Sequence, residues 1–157
     1  MNVFYLDKDQ NKCAKYHNDK HCVKMILEYA QLMCTAHRIV DDNQTAFLYK
    51  AAHKNHPSTI WTRISKSNYE WLYKLFVELS EEYTYRYDRV HKSYLNLKEI
   101  LSNPPSKIPD KGFTEPPPAM PEYCKIIGDS VSSYRNYYRQ EKKHIAKWTK
   151  RPVPNWY

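Results

Sequence analysis

Glycine is nearly missing from this chain: Gly112 and Gly128 are the only two among 157 residues. Loops that cradle phosphate with backbone amides need glycines at fixed spacings, so a P-loop, a dinucleotide-binding fingerprint and a nucleophile elbow are all excluded. Long apolar runs are missing too. No segment approaches the roughly 18 uninterrupted apolar residues of a membrane span, and the opening MNVFYL meets Asp7 and Lys8 before it reaches signal-peptide length. A cytoplasmic chain with no membrane partner is therefore expected. Cys13, Cys22, Cys34 and Cys124 show no C-x-x-C spacing, which argues for buried thiols rather than a zinc-thiolate centre.

What is present is aromatic and basic. Fifteen Tyr, four Trp and four Phe within a 41% hydrophobic composition are enough to bury one core, which suits a single compact domain over residues 1–157. Lys and Arg number 25 against 17 Asp and Glu, a formal charge of +8. That excess favours a polyanionic partner.

Apart from a short extended segment at residues 2–6, the pattern is helical and predicts an all-α fold of four or five helices. Apolar residues recur at three- and four-residue steps across 11–39, with Asp9 as N-cap. A short helix is expected over 43–53. Pro57 starts a long one over 59–87, since proline suits a first helical turn. A further short helix falls at 94–101 and a last one at 129–149. Seven prolines make 103–122 a proline-rich loop, and 150–157 reads as an extended aromatic tail.

On the first helix, His17, His21, Lys24, Glu28, Gln31 and Thr35 lie within about 40° of one line at 100° per residue. The remaining faces of that helix are largely apolar, so the stripe is expected to be enclosed by other elements. Enclosed ionisable groups on one line resemble an active-site wall. Glu28, Lys24 and His21 are the candidate catalytic groups, with His17, Gln31, His53 and His56 in support. His17 with His21, and His53 with His56, have spacings a metal would tolerate, yet no H-E-x-x-H signature accompanies them. No metal or cofactor is assigned.

The second concentration of chemistry is C-terminal. Arg139, Lys142, Lys143, Lys147, Lys150 and Arg151 fall within thirteen residues and are opposed only by Glu141. Trp148, Trp156 and Tyr157 interleave with them, a combination suited to phosphate contacts beside stacking aromatics. Lys20 adds to the same candidate surface.

Two segments carry a resemblance. DKHCVKMILE, residues 19–28, looks like the D-x-H and the glutamate seven residues later in the phage pyrimidine-dimer DNA glycosylase family, the T-even endonuclease V type. RQEKKHIAKWTKRPVPNWY, residues 139–157, is similar to that family's R-x-x-x-K-I-A stretch followed by Arg-Pro and Trp-Tyr, with one residue inserted before Ile145 and more before the tail. Along nearly its full length the chain is also similar to phage-encoded proteins without an assigned role. The glycosylase resemblance implies a small helical enzyme acting on double-stranded DNA as a monomer in the host cytoplasm. In it Glu28 is catalytic, Arg139 and Lys143 bind phosphates, and Trp156 and Tyr157 lie near the damaged strand.

One departure bears on mechanism. The family's nucleophile is the α-amine of a threonine followed by arginine, whereas this chain begins Met1-Asn2-Val3, and Leu27 replaces the basic residue before the glutamate. An α-amine is a suitable nucleophile because its reference pKa near 8 leaves a neutral fraction at pH 7. Here that amine belongs to Met1, with Lys24 as substitute if enclosure lowers its pKa. The expected function is thus N-glycosylase with abasic-site lyase activity on damaged pyrimidines. The alternatives are a non-catalytic phage factor that binds nucleic acid or a host protein, and a His-dependent hydrolase of nucleotides or bases.

Overall fold

A computed structural model describes all 157 residues and is built of helices, with no β-strand. Six α-helices appear in chain order: α1 Gln10–Tyr16, α2 Asp19–Val40, α3 Pro57–Ile64, α4 Lys66–Tyr87, α5 Lys92–Leu101 and α6 Ser130–Glu141. Single 3-10 turns lie at Glu122–Cys124 and Lys143–Ile145. No helix is long and apolar enough to cross a membrane. The sequence-level expectation of an all-α domain holds, with more and shorter helices than periodicity alone indicates.

Each extra break shows in its caps and side-chain contacts. The expected first helix is interrupted at His17 and Asn18. Asn18 turns its side chain back to accept from the His21 amide and caps α2, while Asp9 caps α1 through the Lys12 amide. His17 closes α1 in an extended conformation, and its ring nitrogens bond the Cys13 carbonyl and the Tyr29 hydroxyl, both at 2.7 Å. Ser65, at φ −150°, separates α3 from α4.

The short helix expected over 43–53 is absent. The Arg38 guanidinium instead gathers the carbonyls of Asn43, Thr45, Leu48 and Tyr49, acceptors that a helix would have used internally. The last helix also stops early, at Glu141 rather than near residue 149. Beyond it the chain is tied to the body. The Asp19 amide donates to the Lys147 carbonyl, Thr149 donates to Asp19 from both its amide and hydroxyl, and the Trp148 indole donates to the Tyr16 carbonyl.

The N-terminal segment does not lie on the surface as an edge. Val3, Phe4, Tyr5 and Leu6 are all buried within the core formed chiefly by α2 and α4. Several core residues are tyrosines whose hydroxyls are satisfied: Tyr29 by His17 and the Phe4 amide, Tyr69 by the Leu101 carbonyl, and Tyr134 by the Pro117 carbonyl. Tyr138 shares its hydroxyl with His21. A fold rich in buried phenols is stable only if those groups find partners.

At the junction of α1, α2, α4 and the C-terminal tail sits a buried ionic group. The Arg86 guanidinium, with no exposed side-chain surface, reaches Glu82 at 2.7 Å and Asp19 at 3.0 Å and donates to the Lys15 carbonyl. Arg151 adds a two-pronged contact to the same Glu82. Burial by itself raises both carboxyls. Bonds from Thr149 and Arg86 to Asp19, and from Arg151 and Arg86 to Glu82, outweigh it and hold both below ordinary carboxylate values.

Replacing Arg86 by Met leaves the buried Glu82 and the partly buried Asp19 short of their partner and is expected to cost about 3–5 kcal/mol, read from urea unfolding at pH 7. Because the two carboxyls are depressed in the folded state, their contribution is present above the unfolded value near 4 and is lost as pH falls through the folded values. The urea midpoint of the native protein should therefore drop steeply below about pH 4, and that acid loss should be smaller in R86M. Equal acid sensitivity of the two proteins would remove the network from the explanation.

Candidate active site and its adjoining groove

The buried N-terminal segment runs antiparallel to α2, and simple geometry sets its register. Three extended residues cover about 10 Å, and seven helical residues cover about the same distance. With Phe4 stacked on the His21 ring at 4.1 Å, Met1 therefore arrives beside Glu28. The Met1 amine lies 3.4 Å from Glu28 Oε1. Two bonds pin the segment: Asn2 donates to the Ala119 carbonyl at 2.8 Å, and the Phe4 amide donates to the Tyr29 hydroxyl at 3.1 Å.

Glu28 itself is mostly covered, with 13% of its side chain exposed, and its Oε2 has no hydrogen-bond partner within the protein. A near-buried carboxylate oxygen without a donor is expensive unless it serves something. Lys24 Nζ stands 3.7 Å from that oxygen but is 69% exposed, so its head group turns largely toward solvent. The enclosure expected of Lys24 is therefore not found, because α2 presents Val23, Lys24 and Leu27 outward. Lys24 is a partner of Glu28 and not a desolvated nucleophile.

The histidines divide differently from their spacing. His17 and His21 are core residues. Burial lowers His17 to about 4, and it lowers His21 to about 2 with help from the charges of His17, Lys142 and Lys24. His21 is a neutral ring that bonds Tyr138 at 2.7 Å and carries Phe4 on its face. It positions the N-terminal segment, in place of the catalytic role the stripe indicated. His56 is the one that approaches the candidate site. It is held below its ordinary pKa by burial, then by the positive charge of the Met1 amine and by His53. Its Nδ1 accepts from the Ser58 amide as the cap of α3, which leaves the proton on Nε2. His53 is exposed at a positive φ of 48°.

Gln31 and Thr35 continue the stripe toward this loop. Thr35 donates to the Gln31 carbonyl and accepts from the Ala52 amide, which ties the 51–56 segment to α2. No group of three or more His, Cys, Asp or Glu side chains is arranged around a common metal position.

The basic C-terminus is only partly available to a ligand. Arg139 donates to the Trp156 carbonyl at 2.6 Å, Arg151 is engaged with Glu82, and Lys150 donates to the Tyr85 carbonyl and faces Asp88. Trp156 packs on Tyr16, Tyr138 and the Arg135 guanidinium, and Tyr157 packs on Trp148. The tail expected to project as an aromatic contact surface is folded into the protein, because Arg139 and the core aromatics offer it more partners than solvent does.

Lys143 and Lys147 do reach a cavity. With Lys20, Lys24 and Arg89 they line a groove of about 730 Å³ whose other walls include Tyr83, Tyr87 and Ile145. Arg89 and the two tyrosines could not be anticipated from local pattern, since they come from α4 and the turn after it. Lys24 belongs both to this groove and to the Glu28 contact, so the two features adjoin.

Comparison with family models, with curated proteins and with solved structures finds no match to this chain.

Two measurements check the buried histidines. By NMR, the His21 ring protons should show no titration between pH 8 and pH 5, and a midpoint near 6.5 would contradict the burial account. His17 and His21 must stay neutral when folded but take up protons near 6.5 when unfolded. Stability should therefore decline as pH falls below that value, by about 1.4 kcal/mol per pH unit for each ring.

Proposed function

We propose that the protein is an N-glycosylase with abasic-site lyase activity on damaged pyrimidines in double-stranded DNA, using the Met1 α-amine as nucleophile and Glu28 as its acid-base partner. The observation that carries this reading is the contact of 3.4 Å between that amine and a carboxylate that is otherwise short of donors. An amine and a shielded carboxylate in contact form a nucleophile and proton-shuttle pair.

In the reaction, the amine lone pair forms a bond to the sugar C1′. The glycosidic bond breaks and its electron pair leaves with the base, which takes up a proton. Glu28 accepts the proton released by the amine and returns one to the ring oxygen as the sugar opens to an imine. Loss of a C2′ proton then expels the 3′ phosphate by β-elimination. The imine makes the second step easier by acting as an electron sink. The Met1 side chain packs against the core, and the residue is partly buried beside Glu28. Lys20, Lys143 and Lys147 supply the phosphate contacts.

Borohydride added during reaction with a duplex carrying a pyrimidine dimer or an abasic site should trap a covalent protein-DNA adduct, and peptide mapping should place it on residue 1. Glu28→Gln should lower turnover by about 10²- to 10⁴-fold. Acetylation of the N-terminus should abolish both adduct and cleavage. Absence of adduct and of strand scission on both duplexes would sink the proposal.

A further inference from the structure

We propose that the basic groove beside the Met1–Glu28 pair binds a single-stranded stretch of nucleic acid, with phosphates on its lysines and a base against its tyrosine wall. This rests on nucleic acid being the polyanion of the reading above, and it does not depend on the chemistry at Met1.

The charge on this groove is uncompensated. Lys20, Arg89, Lys143 and Lys147 line it, and none of them takes part in any ion pair of the protein. Asp19 is the one carboxylate in the lining. It is already occupied by Arg86 and by the amide and hydroxyl of Thr149. A cluster of cations in a concave site concentrates an anion more strongly than the same cations spread over a convex surface.

The two charged walls are rigid for different reasons. Lys20 and Lys24 are one turn apart on α2, about 6 Å along its axis. Lys143 and Lys147 lie on irregular chain, yet that chain is held against α2 by the bond from the Asp19 amide to the Lys147 carbonyl at 2.8 Å, and by Thr149. The lysine heads remain exposed while their backbone is fixed.

Shape and lining favour one strand over two. A groove of about 730 Å³ lies within the range that holds a small ligand, enough for a nucleotide or two. Its apolar part comes from Val23, Ile145 and the rings of Tyr83 and Tyr87, whose centroids are 5.2 Å apart. A duplex keeps its bases stacked inside and offers only its outer backbone, so it has no use for such a wall. An unstacked base does, and base-aromatic contact beside a tracked backbone is how single strands are held without sequence preference. Burial and then the Asp19 charge push the Tyr87 phenol up to about 12, so the ring stays neutral at pH 7.

Fluorescence anisotropy with a labelled twelve-residue thymidine strand, a blunt duplex of the same length, thymidine monophosphate and pyrophosphate tests this. The strand should bind at least 10-fold more tightly than the duplex at 0.15 M salt. In the double variant K143E/K147E, affinity should fall 10-fold or more, and the slope of log K against log salt should shrink by about 1.4, two contacts at roughly 0.7 each. Tyr87→Ala should weaken binding about 5- to 100-fold, while Tyr87→Phe should hold it. Circular dichroism and thermal midpoints establish that each variant is folded.

Equal or tighter duplex binding, indifference to the lysine changes, or full competition by the monophosphate or pyrophosphate at strand-like concentrations would each overturn the inference. Single-strand binding with no adduct on lesion-bearing duplex would refute the glycosylase reading and leave this one standing. Adduct formation together with strand binding indifferent to the groove variants would do the reverse.

Discussion

The buried Arg86 guanidinium is the contact on which most of the architecture depends. It lies where α1 ends and α2 begins, on the inner face of α4, and it holds the carboxylates of Glu82 and Asp19 together with the Lys15 carbonyl. An unpaired arginine in that place would cost several kcal/mol, so the three elements that satisfy it cannot separate independently. Asp19 and Glu82 then extend the constraint to the tail, because Thr149 binds the first and Arg151 the second. A chain with two glycines and few hairpin turns uses these side-chain clamps to direct its loops.

That constraint shapes the basic groove. Docking residues 147–151 along α2 and α4 makes one wall of the basic groove and consumes the only carboxylate in its lining. The opposite arrangement governs the neighbouring pair. There the organising groups are neutral: His17, His21, Tyr29 and Tyr138 form a buried hydrogen-bonded layer beneath Phe4. Burial keeps both imidazoles uncharged, and this neutral layer sets the height at which the N-terminal segment lies on α2. Charge appears again only at its end, where the Met1 amine meets Glu28. A cationic clamp and a neutral layer thus position two adjoining sites by different physics.

Much of the local structure was legible in the residues. The caps at Asp9 and the start at Pro57 follow from the hydrogen-bonding needs of a first helical turn, and the structure has them there. The stripe through Glu28, Gln31 and Thr35 was legible from its periodicity. The interruptions at His17 and Ser65 and the early end of α6 were not, because each depends on a partner far away in sequence. Tyr29 binds His17, and Asp19 receives Thr149 across 130 residues. The same limit explains the basic tail, where six cations looked alike until Glu82, Trp156 and Tyr85 claimed three of them.

By itself, then, the sequence determined the helical class, the absence of any glycine-built phosphate cradle, and the presence of a polar stripe and a cationic terminus. Those are properties of composition and short-range period, which no distant contact alters. Only the tertiary structure decided that Met1 faces Glu28, that His21 is a packing ring, and that Lys20, Lys24, Arg89, Lys143 and Lys147 share one groove. The reason is that charge and burial belong to neighbourhoods in space. Whether an ionisable side chain is neutralised, paired or left free is set by what the fold brings to it.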